Sequence, residues 1–304
     1  MELRQLEAFA AVVHSGSFTQ AGEERFLSQP AITRQIAALE REFRTQLLNR
    51  SGRVATCTPA GEKLIEFAVP LLRLAADAKR AVADVNLGVA GRLSVGASVT
   101  AATYILPPLI QRYRERWPGV ELSIHTGASA AVAAQVVAGT VDVGIVTGLQ
   151  YGRAFKVTRL AVYPTVVVLY PGHRLAEQAP SGNWALRLQD LAGAPLILME
   201  SGASLRTFVD RLLSTAGIQQ QVTLELDNVE AIKHMIEARM GISLLPLVTV
   251  HREVQDGRLV AMALTDAPAA ERELVAIQMP GRYTPRAVEA FLGVLQDGLA
   301  PTID

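Results

Sequence analysis

The stretch from Ser17 to Phe43, SFTQAGEERFLSQPAITRQIAALEREF, constrains the chain most, because it carries two helix starts a tight turn apart. Ser17 is a natural N-cap, and Gln20 three residues on completes a capping box. That helix is expected to run to about Phe26. Leu27 then occupies the turn, Ser28 caps again, and Pro30 falls in the next first turn, where its missing N–H costs little. In the second helix Ile32, Ile36, Leu39 and Phe43 recur on one apolar face. Pro30, Arg34, Ala37, Ala38 and Arg41 lie opposite, with Thr33 on the flank. Small residues and arginines let a helix approach another surface and offer it guanidinium groups. Two readings stand at this point: a helix that enters a DNA major groove, or an amphipathic helix with a solvated basic side.

The flanking residues favour the first. Upstream, Leu3, Leu6, Phe9, Ala10 and Val13 form another amphipathic helix that could pack behind the hairpin. Downstream, Asn49-Arg50-Ser51-Gly52-Arg53 is a basic turn leading into the strand-like Val54 to Thr58, the shape of a winged helix-turn-helix. Between Arg25 and Arg53 six arginines face only Glu40 and Glu42, while the whole chain carries net charge zero. A local basic patch on a neutral protein suits phosphate contact. The pattern SGSFTQAGEERFLSQPAITRQIAALEREF…LLNRSGRVATCTPAG resembles the N-terminal domain of the LysR-type transcriptional regulators over about the first 65 residues. Gly22, Arg44, Leu48 and Cys57 depart from it, Arg44 standing where the family turns on glycine. The resemblance implies DNA contacts from Ser28, Gln29, Pro30, Thr33 and Arg34 on the helix and from Arg50 and Arg53 on the wing.

At 304 residues, half of them hydrophobic, the chain is long enough for several domains. It holds no uninterrupted apolar run of roughly 18–20 residues, so no membrane partner is expected. Its charged, amphipathic beginning does not read as a secretory signal. A single cysteine fits a reducing cytoplasm. Cys57 reads either as a small apolar residue behind the wing or as a redox sensor.

After the wing, Thr58 and Pro59 open a long helix that Gly88 ends, over 59–87. Leu64, Ala68, Leu71, Ala75, Ala78, Val82 and Val85 alternate spacings of four and three, the seam of a coiled coil. A seam of that length, roughly 40–45 Å at 1.5 Å per residue, must be covered by another helix. Dimerisation does so, and the resemblance implies both it and a tetramer; packing on the chain's own globular part is the alternative. Pro70 is expected to kink the helix.

Gly88 to Gly91 reads as a hinge. Beyond it, strands and helices alternate: strands at 92–97, 120–125, 141–146, 165–170, 196–199, 222–226, 242–245 and 273–279, and helices at 101–116, 129–138, 205–216, 229–239 and 285–296. This is the signature of parallel βαβ units. The late return of the chain resembles the two-lobed, periplasmic-binding-protein type effector domain of the family. The expected fold is therefore α+β multidomain: a winged helix-turn-helix over 1–58, the linker helix over 59–87, the hinge over 88–91 and the effector domain over 92–304. Lobe I would comprise 92–162 and 268–304, and lobe II 163–267.

In open α/β sheets ligands lie beyond the carboxyl ends of the strands, against helix N-termini. Ser98, Thr100, Thr126, Ser129, Thr147, Ser201 and Ser204 occupy such places, though Ser and Thr also cap helices there. Donors of this kind suit a small anionic effector, with Arg206 as an added cation. Enzyme motifs are missing. GASVT at 96–100 lacks the last glycine of a nucleophile elbow. His14, His125, His173, His234 and His251 have no metal-ligand spacing, and neither a P-loop nor GxGxxG occurs. No cofactor is expected. The other reading left open is a two-lobed solute-binding or enzymatic protein whose helical hairpin serves association only.

Overall fold

The computed structural model describes residues 1–49, 54–148, 154–177, 185–267 and 270–299. They form two compact units, Met1–Leu87 and Gly88–Asp304.

In the first unit, α1 (Leu3–Ser15), α2 (Phe18–Glu24) and α3 (Gln29–Phe43) are followed by the short antiparallel strands β1 (Leu48–Asn49) and β2 (Thr56–Cys57), then by α4 (Pro59–Leu87). Leu6, Phe9 and Val12 of α1 meet Ile32, Ile36 and Leu39 of α3 in one core, closed by Ala21, Leu47, Leu48 and Ala68. Ser17 caps α2 as expected, its hydroxyl accepting from the Gln20 amide at 3.3 Å. The reciprocal half of the capping box is absent: the Gln20 amide side chain reaches forward to Glu24. Phe43, expected on the apolar face, is exposed, because α3 ends there and the chain turns away.

Backbone conformation and side-chain caps together hold the turn from α3 into α4. Arg44 adopts φ 52°, the left-handed cap that glycine fills most easily. Glu40 then accepts from the Leu47 amide at 3.0 Å. Thr58 caps α4 through Gly61 N at 3.1 Å and donates to Gln46 O at 2.7 Å. Gly61 lies so close to the Leu47 carbonyl that a Cβ there would overlap its oxygen.

Of the seam expected on α4, Leu71, Ala78, Val82 and Val85 are exposed, while its first two residues are not. Leu64 and Ala68 pack into the N-terminal core, Ala68 wholly buried, because the first turns of α4 lie against α1. The exposed apolar residues are Phe67, Leu71, Leu74, Val82 and Val85. With the exposed Ala78 they form one stripe, and Ala75 lies half-buried at its margin.

The second unit is built around β6 (Lys156–Leu169). Its first part pairs with β12 (Glu271–Gln278), which continues into β5 (Val143–Thr147), β3 (Gly91–Ser98) and the edge strand β4 (Val120–Gly127). From Thr165 onward β6 pairs instead with β10 (Ser243–Pro246) and β11 (Val260–Leu264). Pro164, without an N–H, marks the exchange. The short β7 (Ala185–Leu186) extends β11, and β8 (Pro195–Met199) pairs with β9 (Gln221–Leu226) and bridges to Ile242. The hinge ends early, since Gly91 already belongs to β3.

Helices cover both sheets. In the first lobe a π-helical turn, Ala101–Ile105, runs into α5 (Leu106–Arg116), which packs with α11 (Arg286–Gly298) on one face. The helix α6 (Ser129–Ala138) covers the other face. In the second lobe α8 (Ser204–Thr215) and α9 (Val229–Glu237) enclose Val166–Leu169, Leu196–Leu198 and Leu244–Leu245, with the short α7 (Arg174–Glu177) and α10 (His251–Gln255) at the periphery.

Opposite signs are predicted for two substitutions at the turn into α4. Gly61→Ala should destabilise the first unit by about 1–3 kcal/mol through overpacking. Arg44→Gly should stabilise it by about 1 kcal/mol by relieving the left-handed backbone. Urea unfolding followed by circular dichroism checks both.

Candidate functional site

On α3 the buried stripe Ile32, Ile36 and Leu39 fixes which residues face outward. Ser28, Gln29, Pro30, Arg34 and Arg41 are exposed, and Thr33 is half-buried with its hydroxyl donating to Gln29 O at 3.0 Å. Ser28 stands at the N-cap without a side-chain capping bond. Arg50 and Arg53 lie outside the described residues. Cys57 is half-buried against the core. Burial and then Glu62 push its thiol up, the reverse of what a redox-reactive thiolate needs.

In the second unit the expected hydroxyls lie at or just beyond the carboxyl ends of β3, β4, β5 and β8, but several are already engaged. The Ser98 hydroxyl accepts from Ala101 N at 3.4 Å, opening the π-helical turn. Ser129 donates to Thr147 O at 2.9 Å, both residues being buried. That bond ties the start of α6 to the end of β5. Thr100 is half-buried and makes no side-chain cap, while Thr126 and Ser201 are exposed. Ser204 begins α8 and accepts from Arg272 Nη2 at 3.0 Å. Arg206 is spent on structure: it binds Asp210 at 2.9 Å, Glu225 at 2.8 Å and Met199 O at 2.9 Å.

Two polar groupings were missed in the sequence. Arg272 on β12 is one. The other joins the lobes: Tyr104, in the π-helical turn, donates to Glu230 of α9 at 2.5 Å, and its ring lies 5.3 Å from Lys233 Nζ. Lys233 is buried and reaches Glu230 at 2.7 Å, Glu253 at 2.8 Å and Thr249 O at 3.1 Å. A lysine four residues from Val229, beside Ile232 and Ile236, was the available signal, since a buried lysine needs acidic partners. Burial followed by the Glu230 bond pushes the Tyr104 phenol up. Burial also acts to raise Glu230, but hydrogen bonds from Lys233 and Tyr104 outweigh it and hold the carboxyl below its ordinary value.

No helix among the described residues is long and apolar enough to cross a membrane. Nor does any group of three His, Cys, Asp or Glu among them suit a metal ion.

A helix-turn-helix unit joined to a two-lobed α/β unit is an architecture of ligand-controlled DNA-binding proteins, and comparison with known proteins agrees. The lysR family of bacterial regulatory helix-turn-helix proteins matches residues 3–62, and the LysR substrate binding domain matches residues 86–300. A protein of Trichormus variabilis named "Probable RuBisCO transcriptional regulator" is 30% identical over 295 residues, covering 95% of this chain and 86% of the relative. An OxyR mutant of Corynebacterium glutamicum superposes with TM-score 0.62 at 26% identity, covering 97% of this chain and 92% of the other. Full-length OxyR from Pseudomonas aeruginosa superposes at 0.77, covering 97% and 95%; at 22% identity it speaks for the fold alone. The chain belongs to the LysR family: it is a DNA-binding transcriptional regulator with an effector-binding domain.

The inter-lobe contact yields a pH prediction. Because the folded state depresses the Glu230 pKa, its contribution is complete above the ordinary value of 4.5 and is lost as pH falls through the depressed one. Between pH 6 and about pH 3 the wild-type melting temperature should therefore drop further than that of Glu230→Gln. Parallel scans of the two proteins check it.

Proposed function

We propose that this regulator reads DNA with the outward face of α3 and responds to a small anion bound between its two lobes. The carrying observation is the division of α3, whose Ile32, Ile36 and Leu39 are buried while Ser28, Gln29, Pro30 and Arg34 are free to approach a groove. In this reading Arg34 contacts base edges, Thr33 and the helix start position the backbone, and Arg50 and Arg53 hold phosphates from the wing. Arg34→Ala should cost about 1–3 kcal/mol of discrimination between operator and unrelated duplex. Arg50→Ala should weaken both alike and flatten the salt dependence. Fluorescence anisotropy on both duplexes across a salt series tests the reading, and an unchanged operator affinity for Arg34→Ala overturns it.

The exposed stripe Phe67, Leu71, Leu74, Ala78, Val82 and Val85 supports a dimer formed by α4, and the resemblance of the effector unit supports a tetramer. The domain boundaries expected from the sequence are retained in this reading, and the change of partners along β6 supports a division of the effector unit into two lobes near Pro164. The protein acts in the cytoplasm and by binding, with no catalytic step.

The effector would lie among Ser98, Thr100, Thr126, Thr147, Ser201 and Ser204. The N-terminus of α8 favours negative charge there, by roughly 0.3–1 kcal/mol and towards ~2 when partly buried. Binding would then shift the balance between DNA-bound assemblies by its preference for one of them. Thr100→Val keeps the side-chain shape and removes a hydroxyl that caps nothing. It should weaken effector binding by about 1.5–3 kcal/mol if that hydroxyl meets a charged group, as measured by calorimetry on the full chain.

A further inference from the structure

We infer that the second lobe carries a ligand site of its own, for a small amphipathic acid, apart from the cleft between the lobes and independent of the effector reading above. A cavity of about 520 Å³ opens between α8, a 3₁₀ turn at Leu188–Leu191 and the segment that follows β11. Pockets that hold small molecules run from about 300 to 1,000 Å³. On α8 its wall is made by Phe208, Arg211, Leu212 and Thr215, three or four residues apart and therefore neighbours on one helix face. Leu188 and Ala267 supply the other two walls, and both are buried, as is Leu212. The cavity follows the C-terminal half of α8. Ser201 and Ser204 stand at the other end of that helix, and Ser204 lies roughly 16 Å from Thr215 along the axis at 1.5 Å per residue.

Hydrogen bonds tie the walls to one another. Gln189 donates through Nε2 to Ala216 O, just past the end of α8, at 2.8 Å, and Leu188 N donates to Asp266 Oδ1 at 2.9 Å. The space between the walls is thus built into the lobe. The same bonds engage most of its polar groups, and the Thr215 hydroxyl donates to Arg211 O at 2.8 Å. The Arg211 guanidinium differs: it is exposed and makes no ion pair or hydrogen bond among the described residues. Leu188, Phe208, Leu212, Ala216 and Ala267 line the interior with apolar surface, which favours a hydrocarbon or aromatic body. A strongly polar metabolite would lose its hydration there without finding partners. An apolar molecule with one carboxylate matches both features, its body inside and its two oxygens on the guanidinium fork of Arg211.

Calorimetry on the full chain with octanoate against 1-octanol, and 4-phenylbutyrate against 4-phenyl-1-butanol, tests this. The wild type should bind at least one acid several times more tightly than its alcohol, with the advantage narrowing at high salt. Arg211→Gln should bring that acid and its alcohol within twofold of each other, a severalfold loss being what an exposed ion pair supports. Ala216→Phe, which places a ring in the cavity, should weaken both members of the pair at least tenfold. Melting temperatures verify folding, and Thr215→Trp, a change at an exposed wall position, is the blocking variant should Ala216→Phe fail to fold. Acid binding that stays within twofold of wild type in the blocked variant belongs elsewhere on the protein and overturns the site. An alcohol bound as tightly as its acid overturns the assignment of an acid to Arg211. Absence of binding by all four compounds at millimolar concentration overturns the proposal as a whole.

Discussion

The second unit depends on one strand. β6 leaves the sheet of the first lobe at Pro164 and enters that of the second at Thr165, so both lobes share its backbone hydrogen bonds. Up to Tyr163 its residues are half-buried or exposed apart from the buried Leu160; from Thr165 to Leu169 all are buried. A segment covered on both faces is hard to shift in register or to peel away. Side-chain contacts also cross the gap between the lobes. Tyr104 with Glu230 and Lys233 is one such contact, and Arg272 with Ser204 is another. Both lie on elements that begin at the carboxyl ends of strands, where the fold places ligands. In the proposed reading, a ligand there would act directly on the groups that join the lobes.

The first unit solves a different problem, that of presenting a helix whose outer face remains available. α3 achieves it by committing only three side chains, Ile32, Ile36 and Leu39, wholly to the core. α4 divides its surface along its length: Leu64, Ile65, Ala68 and Leu72 complete the same core, and the stripe from Phe67 to Val85 is exposed. If two chains pair along that stripe, their recognition helices are related by a two-fold axis, and the sites they read carry the same symmetry.

Much of this was legible because local signals and tertiary structure agree. Caps at Ser17 and Thr58, Pro30 and Pro59 inside first turns, and apolar periodicity placed four helices within a residue or two. The failures have physical causes. The half of β6 before Pro164 alternates exposed Lys156, Val157, Arg159 and Val162 with inward residues and lacks an apolar run, so only its TVVVL end was visible. Of the expected α4 seam, Leu64 and Ala68 pack inward, because an a/d pattern does not say which apolar positions a neighbouring helix has already claimed; Leu71, Ala78, Val82 and Val85 stay exposed. Arg272 and Lys233 escaped notice because charged residues inside apolar elements read as exceptions until the partners that surround them are seen. Arg206 was overvalued for the complementary reason, since Asp210 and Glu225 already satisfy it.

The central claim is that α3 of a two-fold symmetric dimer reads DNA sequence. Its most direct test is to recover genomic fragments bound by the purified full-length protein at physiological salt and to sequence them. The account predicts a small set of enriched fragments sharing an interrupted inverted repeat, with half-sites spaced by about one helical turn, ~10 base pairs, or a multiple of it. Recovery spread evenly over the genome, or enrichment without a dyad-symmetric motif, would contradict it.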